Sequence, residues 1–131
     1  MATNDSMAAA EKFSAAIKAR SAEQIAAVYA DDIVVWHGST GQAQNKQENV
    51  GLLANVFRIT SALEYVNIRR FPIEGGVVQQ HRLIGTFSDG KEFPSLEACQ
   101  VMHTRDGVIT KLEEYFDGSR LAEVWERLSR L

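Results

Sequence analysis

Three glycine-centred turns, Glu74-Gly75-Gly76, Ser88-Asp89-Gly90-Lys91 and Arg105-Asp106-Gly107, cut the back half of the chain into four apolar segments. They run through Leu63 to Phe71, Val77 to Phe87, Glu92 to Thr104 and Val108 to Phe116. Asp-Gly between apolar runs is among the stronger hairpin signals. The segments therefore read as hairpin-linked strands in a meander. This punctuation constrains the fold more than any other feature of the sequence.

The front half has a different texture. Met7, Ala10, Phe13, Ala16 and Ile17 fall on one stripe at helical spacing. Ser21 with Gln24 is a capping signature that opens a short helix through Ile25, Val28 and Tyr29. Ile33-Val34-Val35-Trp36 is a β-branched run ended by Gly38-Ser39-Thr40-Gly41. Asn45 and Glu48 mark a third helix through Val50, Leu53 and Phe57. Leu121, Val124, Trp125 and Leu128 return to helical spacing at the end. The expected order is α-α-β-α-β-β-β-β-α, an α+β fold with a curved antiparallel sheet covered on one side by helices. A bent sheet wrapped around helices leaves a pocket open at one end.

The 131 residues are one domain's worth, 1–131, with no linker or repeat. Hydrophobic residues make up 45% and charged residues 24%, which excludes a disordered chain. A net charge of -3, with Arg69-Arg70 as the densest basic spot, gives no phosphate-tracking stripe, so nucleic acid is not an expected partner. No apolar run approaches a membrane span, and Met1-Ala2-Thr3-Asn4-Asp5 lacks a basic leader. A lone Cys99 fits a reducing compartment, and the cytoplasm is the expected location. Phosphate-binding glycine loops, dinucleotide fingerprints and nucleophilic triads are absent, and no cofactor is expected.

Tyr29-Ala30-Asp31-Asp32 leading into Ile33-Val34-Val35-Trp36-His37 resembles the helix-to-first-strand passage of SnoaL-like proteins, within the nuclear transport factor 2-like superfamily. Asp106-Gly107-Val108-Ile109 followed by Glu114-Tyr115-Phe116-Asp117 resembles their last hairpin. The resemblance runs from about Phe13 to Leu121 and implies a cone-shaped sheet around one central pocket. That scaffold hosts isomerases, cyclases, dehydratases, epoxide hydrolases and non-catalytic modules, so fold alone names no reaction. By the resemblance, His37 stands where ketosteroid isomerases carry the proton-shuttling carboxylate. Their two dienolate donors match Phe13 and, within one position, Cys99; neither is a strong donor, which argues against steroid isomerase activity. Tyr29 matches a member of their pocket hydrogen-bond network. The acid/base aspartate of SnoaL-like polyketide cyclases matches Glu114, within a residue.

The residues themselves leave two readings at each candidate. His37 ends an apolar strand; it is either a base at a pocket mouth or a structural strand-end histidine. His81 shares a strand face with Gln79 and Leu83, which suits either a polar-tipped pocket wall or a solvated face. Glu114 alternates with Leu112 and Phe116; on that apolar face it would be an acid, and in the other register a surface carboxylate. Cys99 has no flanking base to activate it and reads as a small core or pocket side chain. Phe13, Tyr29, Trp36, Leu53, Phe57, Val101 and Phe116 are core residues that double as candidate pocket wall. His37, His81 and His103 form no short metal-ligand pair, and no metal is expected.

Two functions from different classes follow. One is cofactor-free proton transfer on a small apolar, oxygen-bearing ligand, with His37 as base, Glu114 or His81 as acid, and Tyr29 as an orienting donor. The other is a non-catalytic ligand-binding or dimerisation module. A homodimer through the outer sheet face is expected in either case, with apolar residues of the Tyr65–Arg70 strand alternating onto both faces.

Overall fold

The computed structural model describes residues 2–131, with side chains from Asp5 onward; Met1, at the expected leader-free start, lies outside the described residues. Helix α1 (Ala2–Ala19) and helix α2 (Ala22–Val28) are followed by strand β1 (Tyr29–His37), a short strand β2 (Gln42–Gln44) and helix α3 (Lys46–Arg58). Strands β3 (Thr60–Ile73), β4 (Gly76–Phe87), β5 (Leu96–Arg105) and β6 (Val108–Phe116) then lead through a 3-10 turn, Gly118–Leu121, into α4 (Ala122–Ser129). No helix among the described residues is long and apolar enough to cross a membrane.

Local chemistry accounts for the boundaries. Asn45 accepts from the Glu48 amide while the Glu48 carboxylate accepts from the Asn45 amide, a complete capping box. Ser21 makes the first half of that exchange with Gln24. The hairpin tips fall where expected: Gly75, Gly90 and the Asp106-Gly107 pair all adopt positive φ, which glycine takes without a Cβ penalty.

The strands form one curved sheet in the order β2-β1-β6-β5-β4-β3. The four strands β3 to β6 are antiparallel neighbours, as the meander requires. Two features differ from a purely antiparallel reading. Strand β1 joins β6 in parallel, because α3 and the meander intervene between them and bring the chain back in the same direction. The turn-rich segment after His37 folds back as β2, an edge strand too short to announce itself by periodicity.

Helix α1 lies across β3, β4 and β5 and fills the concave side of the sheet. Phe13, Ile25, Ile33, Val35, Val77, Met102, Ile109 and Leu112 are all buried in one core there. A Cβ on Gly76 would stand 2.0 Å from the Met102 carbonyl oxygen, so only glycine permits this approach of β4 to β5.

Strand β3 carries a bulge. Val66 pairs with Arg82 but Arg69 pairs with Gln80, so one residue is inserted, and Asn67 takes a left-handed φ of 54°. Alternation from Tyr65 would turn Arg70 to the opposite face, as the sequence suggests. The inserted residue reverses that parity and brings Arg70 to the concave side with Leu63 and Tyr65.

Candidate active site

Register assembles a polar row across the concave face. His37 on β1 lies beside Glu114 on β6, Glu114 beside Gln100 on β5, Gln100 beside Gln79 on β4, and Gln79 beside Arg70 on β3. Gln79 and Gln100 are fully buried within a core made mostly of apolar side chains. Burying polar groups costs free energy unless they are hydrogen-bonded, and this row is largely bonded to itself.

Above the row's His37–Glu114 end lies a cavity of about 310 Å³. Its apolar wall comes from α3, through Leu52, Leu53, Val56 and Phe57, and from Leu83, Phe93, Leu96 and Phe116 on the sheet side. Leu121 of the 3-10 turn and Val124 and Trp125 of α4 close it at the C-terminal end, and Trp125 remains 46% exposed at the rim. Its polar groups are His37, Gln42, Gln44, Asn49, Tyr65, His81 and Glu114, with Ser39 and Thr40 at the turn. An apolar cavity with a few convergent polar groups is the form of a small-molecule site.

The protonation of His37 follows from its partners. Tyr29 donates to Asn49 Oδ1 at 2.7 Å, and Asn49 Nδ2 donates to Gln44 Oε1 at 2.9 Å. Gln44 Oε1 is an acceptor only, so His37 Nε2, 2.8 Å away, must be the donor. The titrating nitrogen is therefore Nδ1, which faces Glu114 Oε1 at 3.7 Å. Glu114 raises the His37 pKa above its ordinary value; partial burial opposes this and Gln44 adds to it. Glu114 Oε2 also accepts from Gln100 Nε2 at 2.8 Å, which fixes the carboxylate. A histidine and a carboxylate that face each other with one titrating proton between them can take up or return that proton.

His81 is a different kind of group. Its ring stacks on Tyr65 at 3.7 Å between centroids, and burial pulls its pKa to about 4, with Glu114 opposing and Arg70 reinforcing the drop. At neutral pH it carries no charge, so it acts as a neutral imidazole.

The structure sorts the candidates read from the sequence. His37, His81, Glu114, Leu53, Phe57 and Phe116 all line the cavity. Phe13 and Tyr29 lie beneath it, stacked on one another at 5.8 Å, and Tyr29 spends its hydroxyl on Asn49 instead of pointing it at a ligand. Gln79 is sealed behind His81. Trp36, Cys99 and Val101 are not among the cavity-lining residues. Strand alternation turns them to the convex face, where Trp36 packs edge-on against Tyr115. The isomerase-matched position at Cys99 is thus displaced by one residue from the inward Gln100. Glu113 and His103 pair with each other at 3.0 Å, away from the cavity. Among the described residues no group of three or more His, Cys, Asp or Glu side chains converges as a metal site would require.

Sequence reasoning missed Gln42, Gln44, Asn49, Tyr65, Arg70 and Gln100. Their signal is contact across strands and from helix α3, and no single strand's periodicity reveals it. The Gln-Ala-Gln alternation at 42–44 was the one local hint.

The fold and cavity define a class: an α+β cone whose curved sheet and front helices enclose a ligand-sized space. The chain belongs to the SnoaL-like domain family, which it matches over residues 10–112. A search of the curated proteins found no match. Among solved structures, an LEH-like epoxide hydrolase from M. tuberculosis is 20% identical with a TM-score of 0.70, covering 98% of this chain and 92% of that one. PrhC from Penicillium brasilianum is 14% identical with a TM-score of 0.80, covering 99% and 91%. A protein of ketosteroid isomerase-like fold from Catenulispora acidiphila, solved with trimethylamine, is 14% identical with a TM-score of 0.70, covering 82% and 83%. At these identities the likeness is one of fold.

Proposed function

We propose that the protein binds a small apolar, oxygen-bearing molecule and moves a proton on it without a cofactor. Isomerisation, aldol-type cyclisation, and loss or addition of water all fall within that chemistry. The observation that carries the reading is the His37–Glu114 pair, 3.7 Å apart at the polar end of an apolar cavity. With His37 neutral and Glu114 ionised, the pair is a base for an acidic C–H or a water; the proton it gains sits between Nδ1 and Oε1 and is available for return. Water exclusion by Leu53, Phe57 and Phe116 strengthens the field between the charged groups. Tyr29, Asn49 and Gln44 position His37 from behind.

The test is deuterium uptake at the α-carbon of bicyclic ketones in D₂O, followed by mass spectrometry. The wild-type protein should accelerate uptake, and His37→Ala and Glu114→Gln should each lower the rate by roughly 10²-fold or more. Saturable binding without uptake, or uptake that survives both substitutions, overturns the reading in favour of a non-catalytic binding module. We further propose that the protein works as a homodimer paired through the convex sheet face, where Val34 and Tyr115 are 43% and 42% exposed. A monomer by sedimentation at micromolar concentration would refute the pairing.

A further inference from the structure

Building on the reading of the cavity as a ligand site, we propose that Arg70 and Gln79 are positioning residues. They hold His81 in the Nε2–H tautomer, which donates to a carbonyl or similar acceptor oxygen of the ligand.

A guanidinium has five N–H donors and no acceptor. Arg70 Nε lies 2.8 Å from Gln79 Oε1, so the Gln79 amide is oriented with its oxygen toward β3. Its Nε2 then points at His81 Nδ1, 2.9 Å away. An amide nitrogen only donates, so Nδ1 must offer its lone pair and the ring proton must reside on Nε2. Ser14 on α1 braces the same relay, within 3.2 Å of Arg70 Nη2 and 3.4 Å of Gln79 Nε2. The Tyr65 ring, inclined at 19° to the imidazole, fixes the plane in which the N–H can point.

The free end of the imidazole is the ligand end. His81 Nε2 has no hydrogen-bond partner among the described residues. Among the described residues the fully buried side-chain polar atom without a partner is Gln100 Oε1, so His81 Nε2 is not sealed in protein. His81 lines the cavity, so this N–H opens onto the space shared with His37 and Glu114. With its pKa down at about 4, the ring keeps a single proton at neutral pH and is a donor there without being a cation. A neutral donor in a largely apolar wall favours a ligand that brings an acceptor oxygen to that spot, which a ketone, ester or epoxide supplies and a hydrocarbon does not. The skeleton would then run between the His81 N–H and the His37–Glu114 pair.

The tautomer is read first, with no ligand present, by long-range ¹H–¹⁵N correlation of the histidine rings at neutral pH. The expected His81 spectrum has Nδ1 as the unprotonated nitrogen and Nε2 as the protonated one. Gln79→Glu replaces the amide donor with a carboxylate that accepts from both Arg70 and the imidazole, so the proton should move to Nδ1. The ligand end is read with 1-tetralone and tetralin, one hydrocarbon frame with and without a carbonyl. Wild-type protein should favour 1-tetralone, with the bound carbonyl stretch lowered. His81→Phe and Gln79→Glu should each lower the preference for 1-tetralone over tetralin roughly tenfold. A wild-type Nδ1–H tautomer, a doubly protonated ring, or equal affinity for the two probes would overturn the proposal. Loss of deuterium uptake in the His37 and Glu114 variants is a separate readout, so either idea can fail while the other stands.

Discussion

Replacing Tyr29 by Phe removes one oxygen from a buried position and tests whether the support behind His37 is built as described. The hydroxyl donates to Asn49 Oδ1 at 2.7 Å, and Tyr29 and Asn49 are 2% and 3% exposed. Burial and the nearby Glu114 charge keep the phenol's pKa well above its ordinary value, so it is a donor at any working pH. The stacking of ring 29 on Phe13 is retained in the variant. What changes is one neutral hydrogen bond, worth ~1 kcal/mol net, plus an Asn49 oxygen stranded away from water at a further ~1 kcal/mol. The expected loss is about 2 kcal/mol, and with an m-value of ~2 kcal/mol/M the urea midpoint should fall by about 1 M. Asn49→Leu in the same background removes the stranded oxygen. The double variant should therefore be more stable than the sum of the two single losses implies, by ~1 kcal/mol. A Tyr29→Phe midpoint within ~0.2 M of wild type, or strictly additive losses, would refute the buried relay.

Three further outcomes follow from the same geometry. Glu114→Gln should lower the His37 pKa, read by NMR titration, because Glu114 is the largest cause of its rise; an unchanged value would mean the pair is not coupled. The two cavity histidines should pull stability in opposite directions with pH. His37, raised in the folded state, adds stability that is full below ~6.5 and lost as pH climbs through its folded pKa. His81, lowered to about 4, adds stability that is full above ~6.5 and lost as pH falls toward 4, at most about 3 kcal/mol. Urea midpoints across that range should fall on the acid side in wild type and flatten in His81→Phe. Asn67→Val should cost about 1–3 kcal/mol by thermal or urea unfolding, since a β-branched residue is strained at a φ of 54°, while Asn67→Gly should be far milder. Equal losses would show that the bulge carries no left-handed requirement.

The parts of the fold legible in the sequence are those that local chemistry decides. Gly75, Gly90 and Asp106-Gly107 mark turns because a positive φ is cheap only for glycine and a few polar residues. Asn45 and Glu48 mark a helix start because they satisfy each other's backbone amides. Glu114 was readable to within one register step, since Leu112 and Phe116 share its face. The parallel pairing of β1 with β6 was not legible, because it depends on how far α3 and the meander carry the chain before it returns.

The site itself is a product of register, which explains why half of it escaped a reading along the chain. His37, Glu114, Gln100, Gln79 and Arg70 are separated by up to 77 positions, yet they occupy one row of five neighbouring strands. A slip of one residue in any strand would turn its member to the convex face. The bulge at Asn67 applies such a slip to half of β3 alone: Tyr65 stays inward to stack on His81, while Arg70 is turned inward to orient Gln79. Strict alternation would allow one or the other, and the tautomer of His81 needs both. An extra residue with a left-handed backbone, Asn67, which plain alternation through Tyr65 to Arg70 does not reveal, thus couples strand geometry to the proton on an imidazole across the sheet.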